Sequence, residues 1–108
     1  METKYCIVQT TVDRKVEAEA LAQLILKEKL AACVQINPIS SYYTWKGGVS
    51  SDSEWLLSIK TKVSCYPELQ ALIIAHHSYE VPEIIQIPIV DGSEAYLRWV
   101  DRNIKLHD

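Results

Sequence analysis

Residues 31–62, AACVQINPISSYYTWKGGVSSDSEWLLSIKTK, limit what this chain can fold into more than any other stretch. They read as one long β-hairpin turning at Lys46-Gly47-Gly48-Val49, because adjacent glycines between alternating apolar runs supply the positive φ that tight hairpin turns require. After the turn, Val49, Trp55, Leu57 and Ile59 share one parity, and Glu54, Ser58, Lys60 and Lys62 share the other. That alternation describes a strand with one buried face. Before the turn the parity changes: Val34 and Ile36 are apolar at even positions, Ile39, Tyr43 and Trp45 at odd ones. A β-bulge at Asn37-Pro38 is the expected cause.

An arm of about fifteen residues, at roughly 3.3 Å each, spans on the order of 50 Å. Such a ribbon overhangs any sheet that 108 residues can build. The overhang carries Tyr42, Tyr43, Trp45 and Trp55, amphipathic rings suited to interfaces. Its apolar side needs cover that the rest of the chain is too short to provide, so a homo-oligomer is expected.

The length fits a single domain over residues 1–108, and an apolar content of 48% is enough for a core. A net charge of -3 points away from nucleic acid and from membrane surfaces, which favour a basic face. No apolar run approaches the roughly 20 residues of a membrane span, and METKYCIVQTTV does not read as a signal peptide. Cys6, Cys33 and Cys65 are odd in number and lack C-x-x-C spacing, which reads as reduced thiols in a cytoplasmic protein.

Taken in order, residues 4–12 form a first strand, apolar on both faces and therefore interior. Asp13 is the expected N-cap of a helix running to about Leu30, with Val16, Ala18, Ala20, Leu21, Ala22, Leu24 and Ile25 as its stripe. After the hairpin, Ser64-Cys65-Tyr66-Pro67 opens a second helix. Leu69, Leu72, Ile73 and His76 fall on one face of it, which predicts a buried, hydrogen-bonded His76 and an exposed His77. Residues 83–90 form a fourth strand, placed at an edge by Pro88. Asp91-Gly92 turns, and Ser93 caps a last helix with Tyr96, Trp99, Val100, Asn103 and Ile104 inward. The expected fold is α+β, a ferredoxin-like βαββαβ sandwich with a long β2–β3 hairpin and a C-terminal helix. Strands one and three lie centrally, both helices cover one sheet face, and the other face is left for a partner.

Chemistry-bearing residues gather at 76–83, HHSYEVPE. Adjacent imidazoles do not face the same way on a helix, and a closed metal site needs two further ligands. Cys33 of a neighbouring subunit is a candidate sulfur donor, with a packed thiol as the plainer alternative. Glu80 and Glu83 are candidate hard ligands or surface charges, and Lys60 and Lys62 a candidate anion site or solvated lysines. No phosphate loop, nucleophile elbow or zincin motif occurs, so an enzyme is not expected.

The stretches EKLAACVQINPISSYYTWKGG (28–48), SEWLLSIKT (53–61), HHSYEVPEIIQIPI (76–89) and YLRWV (96–100) resemble the CutA family, the divalent-cation tolerance proteins. The resemblance implies a ferredoxin-like subunit, a cytoplasmic homotrimer and a role in the response to copper and other divalent metals, without an established catalytic reaction. It implies His76 and His77 as metal ligands. Thr10 stands where the family's cysteine ligand would be, and a hydroxyl suits soft cuprous ion poorly, so the implied copper binding is weak. Cys33, Tyr43, Trp45, Lys60, Tyr79 and Glu83 are the expected lining of an inter-subunit cleft. The architecture also resembles trimeric PII-type signalling proteins, which keeps open a binding module for a small anion, alongside a structural scaffold trimer.

Overall fold

The computed structural model describes residues 3–105. Its elements are β1 (Tyr5–Val12), α1 (Lys15–Lys27), β2 (Cys33–Trp45), β3 (Gly48–Lys62), a 3-10 turn (Val63–Cys65), α2 (Tyr66–His76), β4 (Ile84–Pro88) and α3 (Glu94–Arg102). The strands form one antiparallel sheet in the order β2-β3-β1-β4. The βαββαβ order, the central β1 and β3, and the extra C-terminal helix are those expected from the sequence.

The sheet has two different faces. On one, Cys6, Val8 and Val12 of β1 and Leu57 and Ile59 of β3 are buried against Ala18, Leu21, Ala22 and Ile25 of α1 and Leu69 and Ile73 of α2. This is the main core. On the opposite face no helix among the described residues covers the middle of the sheet, and Ile85 and Ile87 of β4 are 44% and 38% exposed. A smaller cluster of Cys65, Val100 and Ile104, packed against Tyr5 and Ala32, docks α3 at the end of the sheet away from the hairpin tip. Lys62 is buried there, its ammonium 3.0 Å from Asp101 Oδ1, and Lys4 approaches the same oxygen at 3.4 Å.

The hairpin departs from expectation in two ways. Its turn is the two-residue loop Lys46-Gly47, closed by the pair Trp45 and Gly48. Lys46 (φ 50°) and Gly47 (φ 78°) both take positive φ, the requirement of a type I′ turn. Gly48 is therefore the first residue of β3 rather than part of the turn. No bulge occurs at Asn37-Pro38: the register runs unbroken from Cys33 opposite Lys60 to Trp45 opposite Gly48. The change of apolar parity has another cause. Val34 and Ile36 face the helices and pack on the core, whereas beyond Pro38 the ribbon has left the helices behind. There the larger rings Tyr43 and Trp45 sit on the uncovered side. Counting pairs out from the turn, Pro38 falls at a non-hydrogen-bonded position of an edge strand, where its missing N–H removes no ladder bond. Pro88 lies on the other edge, in β4.

Helix α1 is capped by Arg14, in extended conformation, and not by Asp13; no side chain caps it. It stops at Lys27, short of Leu30, because Lys29 adopts φ 56° and the Leu30 N–H reaches back to the Ile25 carbonyl. This is a Schellman arrangement, and the apolar residue that follows it, Leu30, is buried as that motif favours. Ahead of α2, residues 63–65 form a separate 3-10 turn, so α2 begins at Tyr66. In α3, Ser93 accepts from the Tyr96 N–H as expected. Of its expected inner side only Val100 and Ile104 are buried; Tyr96 and Trp99 stack on one another at 5.8 Å, each 39% exposed, and Asn103 is exposed.

Candidate functional site

Two features converge where α2 ends and the hairpin leaves the sheet. One is the His77-Ser78-Tyr79 segment; the other is a concavity on the ribbon.

The two histidines exchange the roles expected of them. Helix α2 ends at His76, which is exposed and lies over Glu17, Ala20, Leu21 and Leu24 of α1. His77 has already left the helix, with φ -88° and ψ 141°, and this extended step turns its ring inward. The ring is half-buried, with Nε2 2.8 Å from the Thr11 carbonyl oxygen and Nδ1 3.0 Å from the Tyr79 backbone nitrogen. A helical period cannot be carried past the C-cap, which is why the sequence pattern assigned burial to the wrong histidine.

Tyr79 follows from that anchor. Its ring lies 4.8 Å from the His77 ring, and its hydroxyl donates to Glu54 Oε2 at 2.8 Å. Ser78 donates to Glu17 Oε2 at 2.9 Å, tying the same segment to α1. On the hairpin, the Tyr43 hydroxyl donates to Asp52. Between these residues lies an open concavity of about 880 Å³, lined by Asp13, Tyr43, Trp45, Asp52, Tyr79, Glu80 and Val81.

The lining charges are negative. Asp13, Asp52 and Glu80 line the concavity, Glu54 binds its Tyr79 wall, and among the described residues no Lys, Arg or His lines it, while Lys46 Nζ stands 5.9 Å from the Trp45 ring at its rim. Burial, and then the bond to Glu54, push the Tyr79 phenol above its ordinary range; the bond to Asp52 does the same to Tyr43. Both phenols are therefore neutral donors at physiological pH, and the carboxylates carry the field. The carboxylates favour a cation over an anion, and Lys46 over the Trp45 ring already makes one cation–π contact of that kind.

Of the expected cleft residues, Tyr43, Trp45 and Tyr79 come together within one subunit. Cys33 and Lys60 do not: they pair with one another at the other end of the ribbon, and Lys60 donates to Gln35 Oε1 at 2.8 Å. Glu83 is exposed just ahead of β4 and lines no part of the concavity. Asp13, Asp52 and Val81 were not singled out as site residues. Asp52 was legible in principle, since a two-residue turn fixes the register that sets it near Tyr43.

The residues do not fit a chelated copper ion. Thr10 is fully buried on the helix-facing side of β1, while His76 is exposed. Among the described residues the Thr10 hydroxyl has no hydrogen-bond partner, but a neutral hydroxyl is a poor ligand for a soft metal. Both His77 ring nitrogens are engaged by backbone. Among the described residues no group of three or more His, Cys, Asp or Glu is placed to hold a metal.

Comparison with known proteins gives a consistent result. The family model described as CutA1 divalent ion tolerance protein matches residues 6–103. A chloroplastic CutA of Arabidopsis thaliana is 46% identical over 100 residues, covering 92% of this chain and 55% of the relative. The divalent-cation tolerance protein CutA of Thermus thermophilus is 41% identical, covering 90% of this chain and 95% of the relative. The chain thus spans little more than half of the plant protein and nearly all of the bacterial one. Among solved structures, CutA1 from Oryza sativa superposes with a TM-score of 0.92 at 42% identity, covering 95% of each chain. The periplasmic divalent cation tolerance protein CutA from Archaeoglobus fulgidus gives 0.91 at 35% identity, covering 94% of this chain and 99% of that one.

Proposed function

Because this chain belongs to the CutA1 family of divalent ion tolerance proteins, we propose that it acts in divalent-cation tolerance as a homotrimer that binds copper weakly. The observation that carries the oligomer is the one-sided sheet: Ile85 and Ile87 on its uncovered face, and Tyr43 and Trp45 on the same side of the overhanging ribbon at 40% and 60% exposure, are apolar groups that one subunit leaves in water. The Thermus thermophilus relative is named a divalent-cation tolerance protein, and we assign no catalytic step. The compartment we infer is the cytoplasm, on the support of three unpaired cysteines, two of them buried. Among the described residues no helix is long and apolar enough to cross a membrane.

Copper contact in this reading is confined to His76. A single exposed imidazole is a monodentate ligand, so the expected affinity is low. Titration calorimetry with Cu(II) should give a weak heat in the wild-type protein that His76→Ala abolishes. An unchanged heat in that variant would remove His76 from the reading.

A second reading, a PII-like binding module, is favoured by the concavity, but with the charge of its ligand reversed. The lining carboxylates oppose the small anion expected from the sequence and favour a cation. A melting-point screen should therefore show stabilisation by cations and none by anionic metabolites; the opposite pattern would exclude this version of the module.

A further inference from the structure

We propose that His77 is the pin that fastens the α2–β4 loop to β1 and positions Tyr79, and that it contributes no bond to a metal. The tautomer carries the argument. The Tyr79 backbone N–H is only a donor, so Nδ1, 3.0 Å away, must present its lone pair. The Thr11 carbonyl is only an acceptor, so Nε2, 2.8 Å away, must carry the proton. One neutral ring thus closes two backbone bonds, one to its own loop and one to the end of strand β1. A metal would have to bind through Nδ1, the unprotonated nitrogen, and would leave the Tyr79 N–H without its acceptor.

The consequences extend along the loop. Nδ1 holds the backbone of Tyr79 two residues on, as an Asx turn does, and the phenol then reaches Glu54 on the hairpin at 2.8 Å. The ring-to-ring contact at 4.8 Å packs the same unit. His77 therefore acts through Tyr79 on one wall of the concavity and is a positioning residue. His76 serves a different neighbour, α1, so the two imidazoles are adjacent in sequence without forming a pair.

The test joins amide hydrogen exchange to calorimetry on the full chain, with Cu(II) as the probe. In His77→Ala the Tyr79 amide should exchange at least tenfold faster, while the copper heat is that of the wild type. His77→Asn keeps an acceptor near the Nδ1 position and should restore Tyr79 protection. His77→Gln reaches toward Thr11 without that acceptor and should not. Unchanged Tyr79 exchange in His77→Ala would overturn the proposal, and so would loss of copper heat in a variant whose Tyr79 amide stays protected. Should His77→Ala fail to fold, nitrogen-resolved imidazole spectra of the wild type decide instead. The Nε2–H tautomer, unmoved by zinc chloride, is expected, and a zinc-induced shift at Nδ1 would count as refutation. A wild-type protein that gives no copper heat would refute the copper reading above and leave the Tyr79 amide to decide the role of His77.

Discussion

Asp101→Asn is expected to destabilise the fold by about 1.5–3 kcal/mol, the usual loss when a charge-assisted hydrogen bond to a buried group is removed at a site where the carboxylate, 35% exposed, still reaches water. Lys62 is 2% exposed and its ammonium stands 3.0 Å from Asp101 Oδ1. Without the carboxylate the Lys62 charge loses its partner at a position that water reaches only from the Asp101 side, and it faces Lys4 there. Urea denaturation should show a lower midpoint with an unchanged slope. The paired replacement Lys62→Met/Asp101→Leu separates causes. It removes both charges and should recover most of the loss, because an apolar pair of similar volume is often neutral or stabilising. If Asp101→Asn leaves the midpoint in place, the pair is not what docks α3. The pH dependence has a definite sign. The bond to Lys62 lowers the Asp101 carboxyl below its ordinary value of 3.8. The folded chain then binds this proton less readily than the unfolded chain. The contribution is complete above the ordinary value and is lost as pH falls through the lowered one. Asp101→Asn should erase that acid-side slope.

Ile85→Glu/Ile87→Glu is expected to convert the proposed trimer into single chains of 12.3 kDa in sedimentation equilibrium. Both isoleucines project from the sheet face opposite α1 and α2, paired with Gln9 and Ile7 of β1. Burying two unpaired carboxylates in a subunit contact costs several kcal/mol each. At 1.4 kcal/mol per tenfold, that weakens association by three decades or more. The subunit itself should remain folded, since neither side chain belongs to the buried core. A threefold mass retained by the double variant would show that this face is not where subunits meet.

The succession of elements was legible because each segment declares its period. Alternation around Leu57 and Ile59 marks a strand, and the stripe of Ala18, Leu21, Ala22 and Ile25 marks a helix; all of these are buried as read. Element ends were less legible. Lys29 and Lys46 both adopt positive φ, a conformation that their side chains do not announce, and each moved a boundary. The parity change near Pro38 was visible but misread, since it records a change of surroundings and not of backbone. Of the candidate site, the family resemblance named Tyr43, Trp45 and Tyr79, and these three line one concavity. Asp52 and Glu54 could not be tied to them without the strand register, and the roles of His76 and His77 depended on the one residue at which α2 stops.

The two prolines have one more consequence. An antiparallel sheet whose outer strands are unpaired is a template that another chain can extend, and repeated addition builds filaments. Here Pro38 sits on one outer strand and Pro88 on the other, so each rim has a gap in its row of outward N–H donors. Self-recognition is thereby steered away from strand-by-strand growth without limit. What this subunit has left to offer its own copies is a broad face and a long arm, and contacts of that kind can close into a finite particle.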